Sequence, residues 1–91
     1  MRGSGRLTYK VLFTSTAKND YDSVRDAKLT RGINRIIEKL KEDPYQFKPL
    51  SGPLKGLRSA KTLSFCVIYR IVDQQLIVMV ITIEHRKQVY R

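Results

Sequence analysis

The sequence predicts an α+β domain: an N-terminal strand, a helical hairpin, then a three-stranded antiparallel meander with the helices over one sheet face. Three observations carry this. Apolar residues recur at helical spacing before Pro44 and at strand spacing or in continuous runs after Leu57. The helical and strand patterns segregate along the chain. The 91 residues leave room for one small core and no second domain.

Residues 1–5 read MRGSG, a sequence common in expression-tag remnants, so the domain is taken as residues 6–91. Residues 8–13 form a strand candidate in which Tyr9, Val11 and Phe13 alternate with Thr8, Lys10 and Leu12. Thr14, Ser15 and Thr16 are competent N-caps for a helix with Ala17, Tyr21 and Val24 on one side. Leu29, Ile33, Ile36, Ile37 and Leu40 make a stronger helical pattern, capped by Asp26 or Thr30 and slightly weakened by Gly32. Pro44 ends it, since the residue before proline disfavours the helical region. Three prolines and two glycines punctuate residues 44–56, which read as a loop.

Residues 58–62 read as a strand, hairpinned through Leu63 and Ser64 to a second over residues 65–72. A tight turn at Asp73, Gln74 and Gln75 leads to residues 76–83, apolar on both alternating faces. Such a strand belongs at the centre of its sheet.

Eighteen Lys or Arg against eight Asp or Glu give a net charge of +10. A 42% hydrophobic fraction is too high for a disordered basic tail. No apolar run approaches the roughly 20 residues of a membrane span, and no apolar signal segment opens the chain. One cysteine makes no intramolecular disulfide, and one histidine builds no zinc site without further ligands, so no metal or cofactor is expected. A cytoplasmic basic domain with polyanionic partners is the expectation. Residues 1–43 hold ten basic and six acidic residues, and residues 44–91 eight and two, so the helices read as ordinary solvated faces and the excess falls on the second half.

Lys55, Arg58, Lys61 and Arg70, with His85, Arg86, Lys87 and Arg91, are candidates to line one concave face, with Tyr69 and Tyr90 available to stack on a base. A generic basic surface or a docking face for an acidic protein fits the same charge. The C-terminal run Glu84-His85-Arg86-Lys87-Gln88-Val89-Tyr90-Arg91 directly follows a strand. Metal-free RNA cleavage needs a base for the 2′-hydroxyl, cations for the crowded phosphorane and an acid for the leaving 5′-oxygen. His85 titrates near neutrality when unperturbed, Arg86 is a permanent forked phosphate ligand, and Tyr90 serves if cations lower its pKa. A surface histidine and a terminal tyrosine that plugs the core edge are the plain alternatives.

Residues 53–60 (PLKGLRSA), 67–71 (VIYRI) and 85–91 (HRKQVYR) resemble the RelE/ParE superfamily of toxins from type II toxin–antitoxin systems. The similarity runs from Tyr9 to Arg91, and the RelE side is the nearer match. It implies a RelE-like fold and a ribosome-dependent mRNA endonuclease that cuts A-site codons, leaving a 2′,3′-cyclic phosphate and a 5′-hydroxyl. It also implies a cognate antitoxin, in a complex of higher order. Carried over, Arg86 matches the transition-state arginine and Tyr90 the C-terminal tyrosine that acts on the 2′-hydroxyl or stacks on a base. His85 matches the basic position before that arginine, and Lys61 a cationic strand position.

Two departures stand out. Cys66 occupies the place of a second phosphate-binding arginine, and losing one preorganised donor costs about 2.7–4 kcal/mol of barrier stabilisation. Ser59 stands where relatives often carry Lys or Arg, and Arg58 replaces it only if the register slips by one, which turns the side chain to the other face. A natural variant, a detoxifying substitution and a subfamily with another target all fit Cys66. A cysteine nucleophile has no role in this chemistry, because the substrate's own 2′-hydroxyl attacks. A ParE-like inhibitor of DNA gyrase and a weakened, antitoxin-binding relative are the competing functions.

Overall fold

The computed structural model describes residues 8–86. The tag reading of residues 1–5 and the assignments to Lys87, Tyr90 and Arg91 lie outside the described residues. Strand β1 (Lys10–Phe13) leads into helices α1 (Ser15–Asp22) and α2 (Ala27–Glu42). Strands β2 (Lys48–Pro49), β3 (Arg58–Lys61), β4 (Phe65–Val72) and β5 (Ile77–His85) follow.

Local chemistry sets the helix ends. The Thr14 hydroxyl caps α1, accepting from the Ala17 N–H at 3.1 Å. Asp26, not Thr30, caps α2: its carboxylate accepts from the N–H groups of Lys28 (2.8 Å) and Leu29 (3.3 Å). The Thr30 hydroxyl instead donates to the Asp26 carbonyl. Before Pro44 the backbone is extended at Asp43, and α2 stops at Glu42. Tyr21 donates its hydroxyl to Asn34 at 2.7 Å, linking the two helices.

The helices cover one face of a five-stranded sheet of order β1-β5-β4-β3-β2. Ala17, Ile33, Ile36 and Leu40 meet Ala60, Phe65, Val67, Tyr69, Val78, Val80 and Ile83 in one core. The meander β3-β4-β5 is antiparallel, as expected.

Four features differ from the sequence reading. First, β1 pairs in parallel with β5, Lys10 opposite Ile77 and Phe13 opposite Val80, so the sheet is mixed. Second, the proline-rich segment holds the two-residue edge strand β2, where Pro49 is tolerated because an edge leaves one side of the ladder unpaired. Third, Leu76 belongs to the preceding turn, in the left-handed region at φ 54°, and β5 starts at Ile77. Fourth, β4 is the middle strand and β5 lies between it and β1; both are interior, which accounts for the two apolar faces of β5.

A β-bulge interrupts the β4–β5 ladder. Ile68 faces Thr82 and Tyr69 faces Val80, so Ile81 is the extra residue. The inward set on β5 therefore runs Val78, Val80, then Ile83. Helix α1 takes up the backbone groups around the bulge. The Thr14 hydroxyl donates to the Ile81 carbonyl at 2.7 Å. Asp20 accepts from the Thr82 hydroxyl (2.8 Å) and the Ile83 N–H (3.0 Å). Buried ladder groups thus keep partners where the register shifts.

Candidate nucleic-acid interface on the open face of the sheet

Strand alternation sorts the candidate residues before any distance is considered. Phe65, Val67 and Tyr69 point to the helices, so Cys66, Ile68 and Arg70 point to the open face. Residues opposite one another on neighbouring strands share a face. Lys61 faces Cys66, and Cys66 faces Glu84, which makes a row Lys61–Cys66–Glu84 across three strands. Two strand spacings put Lys61 and Glu84 about 10 Å apart. The thiol between them is fully buried. Where the resemblance leads one to expect an arginine, the floor carries a neutral, covered side chain.

A groove of about 480 Å³ is lined by the two ends of this row, Lys61 and Glu84, with Cys66 covered between them. Lys48, Ser59, Ile68 and Ile81 line it together with Lys61 and Glu84, and Leu50, Leu54 and Leu57 form its outer wall. That wall is a closed loop: the Leu50 N–H donates to the Leu57 carbonyl at 2.9 Å, and the Leu57 N–H to the Leu54 carbonyl at 3.0 Å. Gly56 at φ 98° lets the chain reverse there. Lys55 is exposed on the loop between two of the leucines that line the groove. Arg70 is exposed on the open face, but four residues along β4 from Cys66, about 13 Å away.

Arg58 is directed elsewhere. It pairs with Tyr69, on the helix-covered face, and its guanidinium donates to the carbonyls of Phe47 (2.7 Å) and Tyr45 (3.2 Å). The same group lies 5.1 Å from the centre of the Tyr45 ring. The register does not slip, so Arg58 does not replace Ser59 on the open face. Tyr69 is also unavailable for base stacking: it is fully buried and donates its hydroxyl to the Pro44 carbonyl. Burial pushes its phenol up to about 12.

Neither His85 nor Arg86 lines the groove, and their side chains take different directions. His85 faces Phe65, on the opposite side of the sheet from Lys61, with ring centres 4.6 Å apart. It shares a cleft with Asp20, Arg25 and Asp26. Arg86 turns to the β3–β4 hairpin. Its N–H donates to the Ser64 carbonyl at 3.0 Å, and its guanidinium to the carbonyls of Thr62 (3.2 Å) and Leu63 (3.5 Å). The Thr62 hydroxyl closes the same hairpin by accepting from the N–H of Phe65 at 2.9 Å. Lys61 and Arg86 therefore lie at one end of the sheet, His85 lies at that end on the helix-covered side, and Arg58 lies farther along β3.

A second cluster of ionisable groups lies at the other end. Asp73 accepts hydroxyl donations from Tyr9 (2.6 Å) and Tyr45 (2.9 Å). The hydrogen bond to Asp73 is the main cause that pushes Tyr9 up to about 12 and raises Tyr45. The same two hydroxyls hold the Asp73 carboxyl below its ordinary value. This cluster ties the approach to β1 and the Pro44–Gln46 turn to the β4–β5 connection, and touches neither groove.

Sequence reasoning passed over Lys48 and Glu84, both of which line the open groove. The signal for Glu84 was present, because one-residue alternation puts Glu84 and His85 on opposite faces once either is placed. Lys48 was hidden by the loop reading of its segment.

Relatives of the chain agree with this architecture. The family described as "ParE toxin of type II toxin-antitoxin system, parDE" matches residues 11–90. Toxin RelG of Mycobacterium tuberculosis is 30% identical over 86 residues, 93% of this chain and 99% of its own length. Toxin RelE of the same organism is 31% identical over 84 residues, 91% of this chain and 87% of its own. Among solved structures, the M. tuberculosis toxin–antitoxin complex RelBE2 superposes with a TM-score of 0.79 at 28% identity, covering 88% of this chain and 93% of that one. The isolated Escherichia coli RelE toxin shares the fold, with a TM-score of 0.72 at 18% identity over 90% of each chain. With its strand order, its helix-covered core and these matches, the chain belongs to the RelE/ParE superfamily of type II toxin–antitoxin toxins.

Proposed function

We propose that this toxin is a ribosome-dependent mRNA endonuclease that binds the message along the open face of the sheet. One observation carries the reading: Lys61 stands on the floor of an open groove, at the end of the sheet where Arg86 clasps the neighbouring hairpin. A phosphate seated over Cys66 would meet the Lys61 ammonium, with Lys48 placed for an adjacent phosphate. The attacking group is the ribose 2′-hydroxyl. As its oxygen gives up its proton to a base and bonds to phosphorus, the bond to the 5′-oxygen breaks and that oxygen takes up a proton, giving a 2′,3′-cyclic phosphate and a 5′-hydroxyl. Lys61 stabilises the developing charge, Arg86 joins it once its guanidinium turns from the hairpin carbonyls to the phosphate, and Tyr90 is assigned to the 2′-hydroxyl or to base stacking. Lys55, Arg70, Lys87 and Arg91 are assigned to backbone phosphates farther along the strand. No step in this scheme calls for a metal.

The RelBE2 structure is of a toxin–antitoxin complex, and so is that of E. coli RelBE. By analogy a cognate antitoxin covers this toxin, within a complex of higher order.

Primer extension on a translated message tests the reading, with wild-type, Arg86→Ala and Cys66→Arg proteins. Codon-phased cuts that vanish in Arg86→Ala support it, and Cys66→Arg is expected to cut faster by restoring a charge to the floor. The buried neutral thiol at Cys66 favours a second reading, a ParE-like inhibitor of DNA gyrase. Absence of cuts in all three proteins, with supercoiling by gyrase inhibited, selects that one.

A further inference from the structure

The exposed side of α2 carries a second charged surface. Lys28, Arg31, Arg35 and Lys39 follow one another at spacings of three, four and four residues, so they stand in a row about 16 Å long. They form one wall of a cleft of about 490 Å³, and the other wall is the β3–β4 hairpin with Lys61 and Leu63. Among the described residues, all charged groups lining this cleft are cations. The acids of α2 do not line this cleft: Glu38, three residues from Arg35, is bonded to Lys41 at 2.9 Å, and Glu42 stands one turn beyond Lys39. The local compensation read from the sequence holds for Lys41 with Glu38, but it does not extend into the cleft. Like charges one turn apart repel, and a polyanion laid along the row relieves that repulsion.

We propose that this cleft is a docking surface for the phosphate backbone of folded RNA, separate from the groove where the message is cut. The shape of the row favours RNA over an acidic peptide. Evenly spaced exposed cations match the regular phosphates of one strand, and the two central ones are arginines, whose forked donors fit phosphate oxygens. A peptide gains specificity from pockets for its side chains. Here the one strongly exposed apolar lining residue is Leu63, at 87%. Lys61 lines both clefts, so an RNA on the row lies beside the message groove and holds the toxin in place over it. The choice of RNA as the polyanion rests on the endonuclease reading; the docking of a polyanion does not.

The test uses the whole chain and a fluorescein-labelled RNA duplex of ~16 base pairs. Fluorescence anisotropy is followed between about 50 and 200 mM salt. The double variant Arg31→Glu/Arg35→Glu is expected to lower the log–log salt slope by about 2 and to weaken low-salt binding at least ~10-fold. Arg31→Lys/Arg35→Lys is expected to restore most of the binding. Both arginines are exposed, and a circular-dichroism melt verifies the fold. If the reversal unfolds the chain, Arg31→Gln/Arg35→Gln carries the same expectation for the slope. An unchanged slope overturns the proposal. So does an oligoglutamate peptide that binds more tightly than the duplex and is released by the double reversal. None of these variants touches Arg86 or Cys66, so failure here leaves the cleavage test independent.

Discussion

The two ends of the sheet are built from the same strands and do opposite things. At the end where β4 begins, Lys61 and Glu84 flank a buried thiol under an open groove, and Arg86 holds the hairpin alongside. At the end where β4 finishes, Asp73 gathers two phenols from segments far apart in sequence. The displaced pKa values of Tyr9, Tyr45 and Asp73 belong to this second end. Perturbed titration is often taken as the mark of an active site. In this fold it marks a clasp that fastens the chain's edges, and the proposed chemistry sits at the other end.

The sharpest way to break that contrast is to remove one charge from each end. Lys61→Ala is expected to slow cutting by 10²–10³, the loss of about 2.7–4 kcal/mol of barrier stabilisation, with the melting temperature nearly unchanged. Asp73→Asn is expected to do the reverse, lowering the melting temperature and leaving codon-phased cutting intact. Single-turnover cutting and thermal melts on the same preparations check both. His85→Phe belongs to the same experiment, because His85 shares the helix side of the sheet with Phe65. Cutting close to wild type is expected, and a loss as large as that of Lys61→Ala would return His85 to the chemistry.

Arg58 supplies the next largest effect and separates charge from structure. Its Nη1 bonds two carbonyls while the planar guanidinium lies 5.1 Å from the centre of the Tyr45 ring, a combination of reach and plane that a Lys ammonium does not reproduce. Arg58→Lys keeps the charge and is expected to cost about 1.5–3 kcal/mol in urea unfolding, the range for hydrogen bonds to charged groups. Its cutting rate should stay within the wild-type range. Loss of cutting at unchanged stability would place Arg58 among the phosphate ligands after all.

The sequence showed what is local and missed what is assembled across distance. The helical period of Ile33, Ile36 and Leu40, the stop before Pro44 and the β3–β4 hairpin each depend on neighbours within a few residues, and each was legible. The parallel pairing of β1 with β5 joins Lys10 to Ile77, and nothing near Lys10 announces it. The bulge at Ile81 was invisible because residues 76–81 are apolar on both faces, so a parity change leaves the pattern intact. The candidate site suffered for the same reason. Its residue types were found, but their sides were not, because the side taken by Arg58 or His85 is fixed by strand partners elsewhere in the chain. The row on α2 was not legible, because Glu38 and Glu42 share its side of the helix and only the β3–β4 hairpin opposite sets the four cations apart.

Thr14 tests the bulge at a smaller scale. Its hydroxyl caps α1 and donates to the Ile81 carbonyl. Thr14→Ala is expected to cost about 1–2 kcal/mol, near the upper end for a lost cap. Thr14→Ser, which keeps the hydroxyl, should recover most of it. Equal losses in the two variants would show that the methyl contact matters and the hydrogen bonds do not.

The smallest expected effect is the dependence of stability on pH, and it is specific to the Asp73 end. Asp73 has a lowered pKa in the folded chain, so its contribution is full above its ordinary value and fades as pH falls through the folded one. Tyr9 is raised to about 12 and Tyr45 is raised as well, so theirs is full below about pH 10 and fades as pH climbs toward 12. The advantage of wild type over Asp73→Asn should therefore form a plateau through the neutral range and shrink on both flanks. Tyr69 is also raised to about 12, but by burial and without Asp73, so both proteins carry its alkaline loss and it cancels in the difference. Melting temperatures of the two proteins across pH measure the plateau. A difference that stays constant from acid to alkali would mean that Asp73 acts by shape alone, and the clasp would lose its electrostatic basis.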